Sequence, residues 1–274
     1  MGAAPLRYGV ITDGEAFAGW QRRCLERLGA HAEASFWWSR SAAARTRDVP
    51  RELLALPAAR RVHGTAARLA PEELASLRAQ RLDFLLALGS APLPPELLDA
   101  ARDGLWSFRH GGEPAGFWEV LRGEAVTEVA LQRLSRDGLA SELRRAVLRT
   151  VSWSARRNRD AVLRLCEAWP AEVARELAAG RSPGAPARPR VAVSSERPGM
   201  RQRCAQLLRA APRGLRELAR RLLYVDLWNA GLVHAPIHSF LRPGYVPEVR
   251  WLPTAGRGRS APRRPGHAGP ACRR

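Results

Sequence analysis

The chain has 274 residues, room for one large domain and an extension. Hydrophobic residues make up 46% of it, which supplies a core and excludes disorder throughout. The formal charge is +19, but all 45 basic residues are Arg and none is Lys. Ala, Gly and Pro, also plentiful, share GC-rich codons with Arg, so coding bias accounts for much of the excess. Arg recurs on almost every predicted helix and gathers in no stripe with aromatics, so the charge reads as a solvated surface and no nucleic-acid partner is expected.

Cys24, Cys166, Cys204 and Cys272 form no CxxC pair, and His31 and His63 have no companions at ligand spacing. Neither a metal site nor a disulfide framework is expected, which fits a reducing cytoplasm. Residues 1–8 lack an apolar signal core, and no apolar run approaches the roughly 20 residues of a membrane helix. The expectation is a soluble cytoplasmic protein with no membrane partner.

In chain order, Tyr8-Gly9-Val10-Ile11 reads as a buried strand, with Asp13 as N-cap of the helix that follows. Phe17, Trp20, Cys24, Leu25 and Leu28 fall at helical spacing on one apolar face. Ala34 to Trp38 reads as a second strand, which fits a burial role for Trp37 and Trp38, while stacking of a ligand ring on one of them is the alternative. Ser39 to Leu69 is looser and rich in Arg and Ala. Pro71-Glu72-Glu73 opens a helix with Pro and acids in its first turn. Leu82 to Leu88 is the most strand-like run, ended by Gly89; Pro95 to Ala101 starts another helix. Gly104 to Phe108 and Glu128 to Leu134 are further strands, the latter the last one predicted in this half. This alternation predicts an α/β, Rossmann-like, mostly parallel sheet with helices on both faces. The glycines form no GxGxxG, so no dinucleotide site follows.

Ser152 to Leu177 reads as helical and Gly180 to Pro189 as a linker. A second helical segment spans Gln202 to Val225, broken near Pro212 and Gly214. The expected division is an α/β domain over 1–178, a linker over 179–190, a helical extension and short apolar runs over 191–254, and a disordered tail over 255–274.

The most informative stretch is residues 82–134. A buried strand and a short Pro-initiated helix precede Gly104-Leu105-Trp106-Ser107-Phe108-Arg109-His110. Pro114-Ala115-Gly116-Phe117-Trp118-Glu119-Val120-Leu121-Arg122-Gly123 and Val126-Thr127-Glu128-Val129-Ala130-Leu131-Gln132-Arg133-Leu134 follow. This pattern resembles the catalytic core of the folate-dependent formyltransferases over about Tyr8 to Leu177. Those enzymes carry Gly-x-x-Asn-x-His at a strand end, a loop, a short helix, and a Thr-Gly-Val-Thr strand leading to an Asp. The resemblance implies a fold of that family, 10-formyl-tetrahydrofolate as donor, held near Leu86, Leu88 and Gly89, and a small-molecule amine, such as an amino sugar, as acceptor. The amine attacks the formyl carbon while Asn and His hold the oxyanion and Asp orients the His.

The carry-over is incomplete. The family Asn falls on Ser107, whose hydroxyl still donates one hydrogen bond. The family His falls on Arg109, a cation that does not exchange protons near neutral pH. His110 is adjacent, but the period-two geometry of a strand aims it to the other face. The family Asp falls on Leu139, with Asp137 and Glu142 nearby. The loop before Pro114 is short. Ser107, Arg109, His110 and Asp137 are therefore the candidate catalytic residues. Two readings stay open: a formyltransferase with altered catalytic positions, or an inactive binding or scaffold module of the same fold. Phe117, Trp118, Val120 and Leu121 fit a packed helix face.

Farther on, Trp228-Asn229-Ala230-Gly231-Leu232-Val233, Ala235-Pro236-Ile237, Phe240-Leu241 and Trp251-Leu252-Pro253 resemble the opening of a glycoside-hydrolase-like β-propeller domain. That implies the front of a longer carbohydrate-active two-domain protein, truncated or shifted out of frame after Pro253.

Overall fold

The computed structural model describes residues 5–14, 17–39, 49–57, 60–63, 69–89, 93–110, 114–137, 139–181, 184, 188–189, 198–229 and 249–251. The parallel half of the sheet is built from β1 (Leu6–Thr12), β2 (Ala32–Ser39), β3 (Arg61–His63), β4 (Phe84–Ala87) and β5 (Leu105–Arg109). Between them lie α1 (Gly19–Leu28), α2 (Arg51–Leu54), α3 (Pro71–Ala79) and a single 3₁₀ turn, Pro95–Leu97. After β5 come α4 (Phe117–Arg122), β6 (Val126–Leu134), β7 (Leu139–Arg149), α5 (Ala155–Cys166), α6 (Trp169–Ala178), β8 (Arg188–Pro189), α7 (Met200–Asn229) and β9 (Val249–Trp251). The strand order is β3-β2-β1-β4-β5-β6-β7-β8, with β9 also on β7.

The strands from β3 to β5 run parallel, because each is followed by enough chain to cross over a face. A wholly parallel arrangement over residues 83–134 is not what forms: β5 and β6 pair antiparallel, Leu105 opposite Leu134 and Arg109 opposite Ala130. The six residues of α4 rise only about 9 Å, so the chain does not return to the far end of the sheet before β6 begins. β6 then turns into β7 as a long antiparallel hairpin.

β7 departs from the sequence reading, which ends the strands of this half at Leu134. Its composition, LASELRRAVLR, breaks the apolar run with charge. In the fold those charges are paired across the sheet: Arg144 reaches Glu172 and Glu176 of α6 at 3.5 and 2.8 Å. The loose stretch from Ser39 to Leu69 contains α2 and β3, and the expected helix at Pro95 closes as a 3₁₀ turn, leaving Leu97 and Ala100 buried. Asp13 does not cap α1, which starts at Gly19; there the Gln21 side chain accepts from the Ala18 N–H at 2.7 Å. α7 runs unbroken through Pro212. The ring removes one donor, and Gln206 and Ala210 before it and Arg213 just after it hold the helix against the body there.

Two apolar layers flank the sheet. Tyr8, Val10, Phe84, Leu86 and Trp106 pack under α1, α5 and α6, with Cys24, Leu28, Val162 and Trp169. Ile11, Phe36, Trp38, Leu85 and Leu105 pack under α3 and the 3₁₀ turn with Leu77 and Leu97. Trp37 and Trp38 split between these layers and are 3% and 0% exposed, so neither ring is available for a ligand to stack on. Phe117, Trp118 and Val120 are buried, as their spacing predicts. The linker at 179–190 and the propeller-like stretch are described only at 179–181, 184 and 188–189, and at 228–229 and 249–251; residues 255–274 lie outside the described residues.

Candidate functional site

In an open α/β sheet, ligands gather outside the carboxyl ends of the strands, where the strand order reverses. Here that point lies between β1 and β4, beside the end of β5. β1 ends in buried Thr12, whose hydroxyl accepts from the Trp37 indole N–H at 3.0 Å, and exposed Asp13. β4 ends at Ala87 and runs on into Leu88 and Gly89. A Cβ at Gly89 would run into the Asp13 carboxylate, so the missing side chain leaves room for that carboxylate over the strand end.

The three residues expected near the donor contribute unequally. Leu86 and Leu88 are 0% and 5% exposed, with side chains in the first apolar layer. The Leu88 N–H donates to the Ile11 carbonyl at 2.9 Å and its carbonyl accepts from Gln21 Nε2 at 2.7 Å. Gly89 lies beside Asp13 at the strand ends.

β5 brings Ser107 and Arg109 to one face and Phe108 and His110 to the other. Arg109 Nη2 lies 2.6 Å from Glu128 Oε1 and 3.0 Å from Glu142 Oε1. Arg145 Nη2 contacts the other oxygen of Glu128 at 2.7 Å, and its Nη1 is 3.9 Å from Glu142 Oε2. The four side chains alternate in charge and close a ring over β5, β6 and β7. Burial raises the Glu128 pKa, but the hydrogen bonds and charges of Arg109 and Arg145 outweigh it and hold the carboxyl below its ordinary value. Arg109 is 16% exposed and committed to these carboxylates. Ser107 sits opposite Gln132, which is 9% exposed.

His110 stacks on Phe108 with ring centroids 5.4 Å apart and meets the edge of Trp20 of α1 at 6.1 Å. Its Nε2 is buried with no hydrogen-bond partner among the described residues. Burial pushes its pKa down to about 4, so the imidazole is neutral at pH 7. Arg109 and His110 face opposite sides, as strand periodicity predicts.

Asp137 is not brought to the others. It lies in the β6–β7 turn, exposed, its carboxylate accepting from the Ser135 hydroxyl at 2.6 Å and the Leu139 N–H at 3.1 Å. The Ser135 bond, then the Leu139 bond, lowers its pKa. Because β6 runs antiparallel, this turn adjoins the Leu105 end of β5, and Leu139 stands there too. Of the two carboxylates near the family Asp position, Asp137 and Glu142, the one that reaches Arg109 is Glu142. Glu128, Gln132 and Arg145 complete the cluster and were missed as site residues. For Glu128 and Gln132 the signal is their even spacing, which puts both on one face of β6; Arg145 lies on β7, which the sequence reading did not include.

Among the described residues no group of three His, Cys, Asp or Glu could hold a metal ion, and no helix is long and apolar enough to cross a membrane.

No protein-family model matches the chain, and no curated protein matches it. Solved structures do. Glycinamide ribonucleotide transformylase 1 from Symbiobacterium toebii matches at 16% identity and a TM-score of 0.51, over 65% of this chain and 89% of that one. The Geobacillus kaustophilus enzyme of the same name matches at 14% identity and 0.52, over 64% and 99%. Phosphoribosylglycinamide formyltransferase from Brucella melitensis matches at 15% and 0.51, over 66% and 100%. The strand order, the antiparallel hairpin after β5 and these matches together give the chain the formyltransferase fold.

Proposed function

We propose that the chain is a formyltransferase-fold protein that binds a reduced-folate formyl donor above β1 and β4 but does not transfer the formyl group by the family's Asn-His-Asp chemistry. The supporting observation is the closed ring of Arg109, Glu128, Arg145 and Glu142. A guanidinium that already neutralises two carboxylates is a poor partner for a developing oxyanion, since the new charge must compete with two fixed ones. Removing a proton from the attacking amine falls to no group on that face, because both carboxylates are salt-bridged and the serine is not a base. Asp13 stands beside Gly89 at the strand ends, where a carboxylate can accept from the N–H groups of a pterin edge. When bound, 10-formyl-tetrahydrofolate would supply the electrophilic formyl carbon.

Titration calorimetry with 5-formyl-tetrahydrofolate tests binding, with Asp13→Ala expected to weaken it at least tenfold. Chain incubated with 10-formyl-tetrahydrofolate and an amine panel, including glycinamide ribonucleotide and amino sugars, is expected to give no product above the uncatalysed rate. Turnover abolished by Arg109→Ala would overturn the proposal.

A second reading has one observation in its favour. His110 is neutral at pH 7 with an unpartnered Nε2, the state a general base requires. Turnover that survives Arg109→Ala and is lost in His110→Ala would support that reading.

A further inference from the structure

α7 presents the wrong face to the protein. Its body-side residues are Gln206 and Ala210, 9% and 6% exposed, and Arg213, whose guanidinium donates to the Val120 carbonyl at 3.4 Å and the Ser152 carbonyl at 3.5 Å. The outward face is the apolar one: Leu208, Leu215 and Leu218 are 77%, 67% and 53% exposed, with Leu207 beside them at 65%. An ordinary surface helix is arranged the other way round.

The exposed residues Cys204, Leu208, Ala211, Leu215 and Leu218 also repeat in a particular way. In the sequence they continue with Leu222 and Val225, spaced alternately four and three residues apart, the a/d pattern of a coiled coil. Leu208, Leu215 and Leu222 take a; Cys204, Ala211, Leu218 and Val225 take d. A period of 3.5 on a straight helix of 3.6 residues per turn is the signature of a helical partner that follows the same path.

We infer that α7 is a parallel dimerisation helix and that its partner is a second copy of this chain. Charge supports self-pairing. The flanking e and g positions from Ala205 to Ala219 carry no charge: Ala205, Leu207, Pro212, Gly214 and Ala219. Arg203, Arg209, Arg213, Arg216 and Arg220 fall at b, c and f, away from the seam; Arg201, at a, precedes the apolar run that begins at Cys204. The flanking charges that follow are Arg221 at g and Asp226 at the next e, opposite in sign and in the relation that pairs across a parallel dimer. Parallel, in-register pairing also sets Cys204 against its counterpart. This cysteine is free and exposed, whereas Cys24 and Cys166 are buried.

The test uses the full chain carrying Cys272→Ser, so that Cys204 is its accessible thiol. Sedimentation velocity over about 1–100 µM is expected to show a dimer, reduced to monomer in Leu215→Glu/Leu218→Glu. Mild copper-phenanthroline oxidation is expected to give a disulfide-linked dimer that Cys204→Ser abolishes. A monomer at every concentration, or a dimer that the double variant leaves intact, overturns the inference. A dimer without the Cys204 link overturns the parallel register. The cross-link is read on a chain with the whole seam present, so it stands even if the double variant folds poorly.

Discussion

The two faces of β5 are held by different physics. On one, Trp106 stacks on Phe84 at 3.8 Å and Phe108 packs on Trp20 and His110, so position is fixed by burial and ring shape. On the other, Ser107 and Arg109 look onto polar groups held by charge pairs that remain partly exposed. Burial is insensitive to salt and costly to remove, whereas exposed ion pairs contribute modestly and weaken as salt screens them. The aromatic face keeps the fold in place; the charged face is where sequence change could rewrite the chemistry without unfolding the protein.

Breaking the aromatic face should have the largest effect. Trp106 is 0% exposed and its indole N–H donates to Asp103 at 3.0 Å. Trp106→Ala should cost about 3–5 kcal/mol, read as the urea midpoint at constant m. A loss under about 1 kcal/mol would mean that this layer does not hold β5.

Acid separates the faces next. Above pH 6.5 His110 is neutral folded and unfolded and contributes nothing. Between 6.5 and about 4 the unfolded chain takes a proton that the folded chain refuses, so stability falls; below that both states hold it and the loss levels off. Since the ring is only half-buried, the loss should be on the order of 2 kcal/mol, and His110→Phe should flatten the curve in that window. Glu128 acts in the same direction lower down. Its depressed folded pKa gives stability that is present above its ordinary value of 4.5 and is lost as pH falls through the folded value.

These contrasts also mark how far the sequence could be read. β1, β2 and β4 are runs buried on both faces, and such runs announce themselves without knowledge of their neighbours. β7 does not: Glu142, Arg144 and Arg145 look like solvated charge until β6 and α6 supply the partners. The same non-local fact decides the site. Ser107, Arg109 and His110 were located by position on one strand. Whether Asp137 or Glu142 meets Arg109 depended on the direction of β6, which no residue of β6 specifies by itself. The heptad in α7 lay in plain view, but its meaning required knowing which side of the helix faces the body.

The charged face should yield less than the aromatic one. Arg109→Ala leaves Glu128 and Glu142 facing one another with Arg145 alone between them, and should cost about 1 kcal/mol. The same substitution in 1 M NaCl should cost less, since salt screens both the lost attraction and the new repulsion. A salt-independent loss would show that Arg109 acts through packing of its stem.

The smallest effect on stability belongs to the most direct test of chemistry. Ser107 is half-buried in the middle of β5, on the face away from Trp106 and Phe108, so Ser107→Asn/Arg109→His adds a short amide and exchanges a cation for a ring. Denaturation should shift by about 1 kcal/mol or less, most of it the loss of the Arg109 pairs. The double change restores the amide and imidazole of the family pattern, but the imidazole would then sit between Glu128 and Glu142, both opposite in sign to its protonated form. Those carboxylates should raise its pKa above 6.5 and hold a proton that a general base must lack. Transfer should therefore remain absent at pH 7 and emerge, if at all, only at higher pH. An NMR titration of the introduced histidine checks the shift, and an unshifted imidazole with no turnover would locate the missing chemistry in the acceptor site.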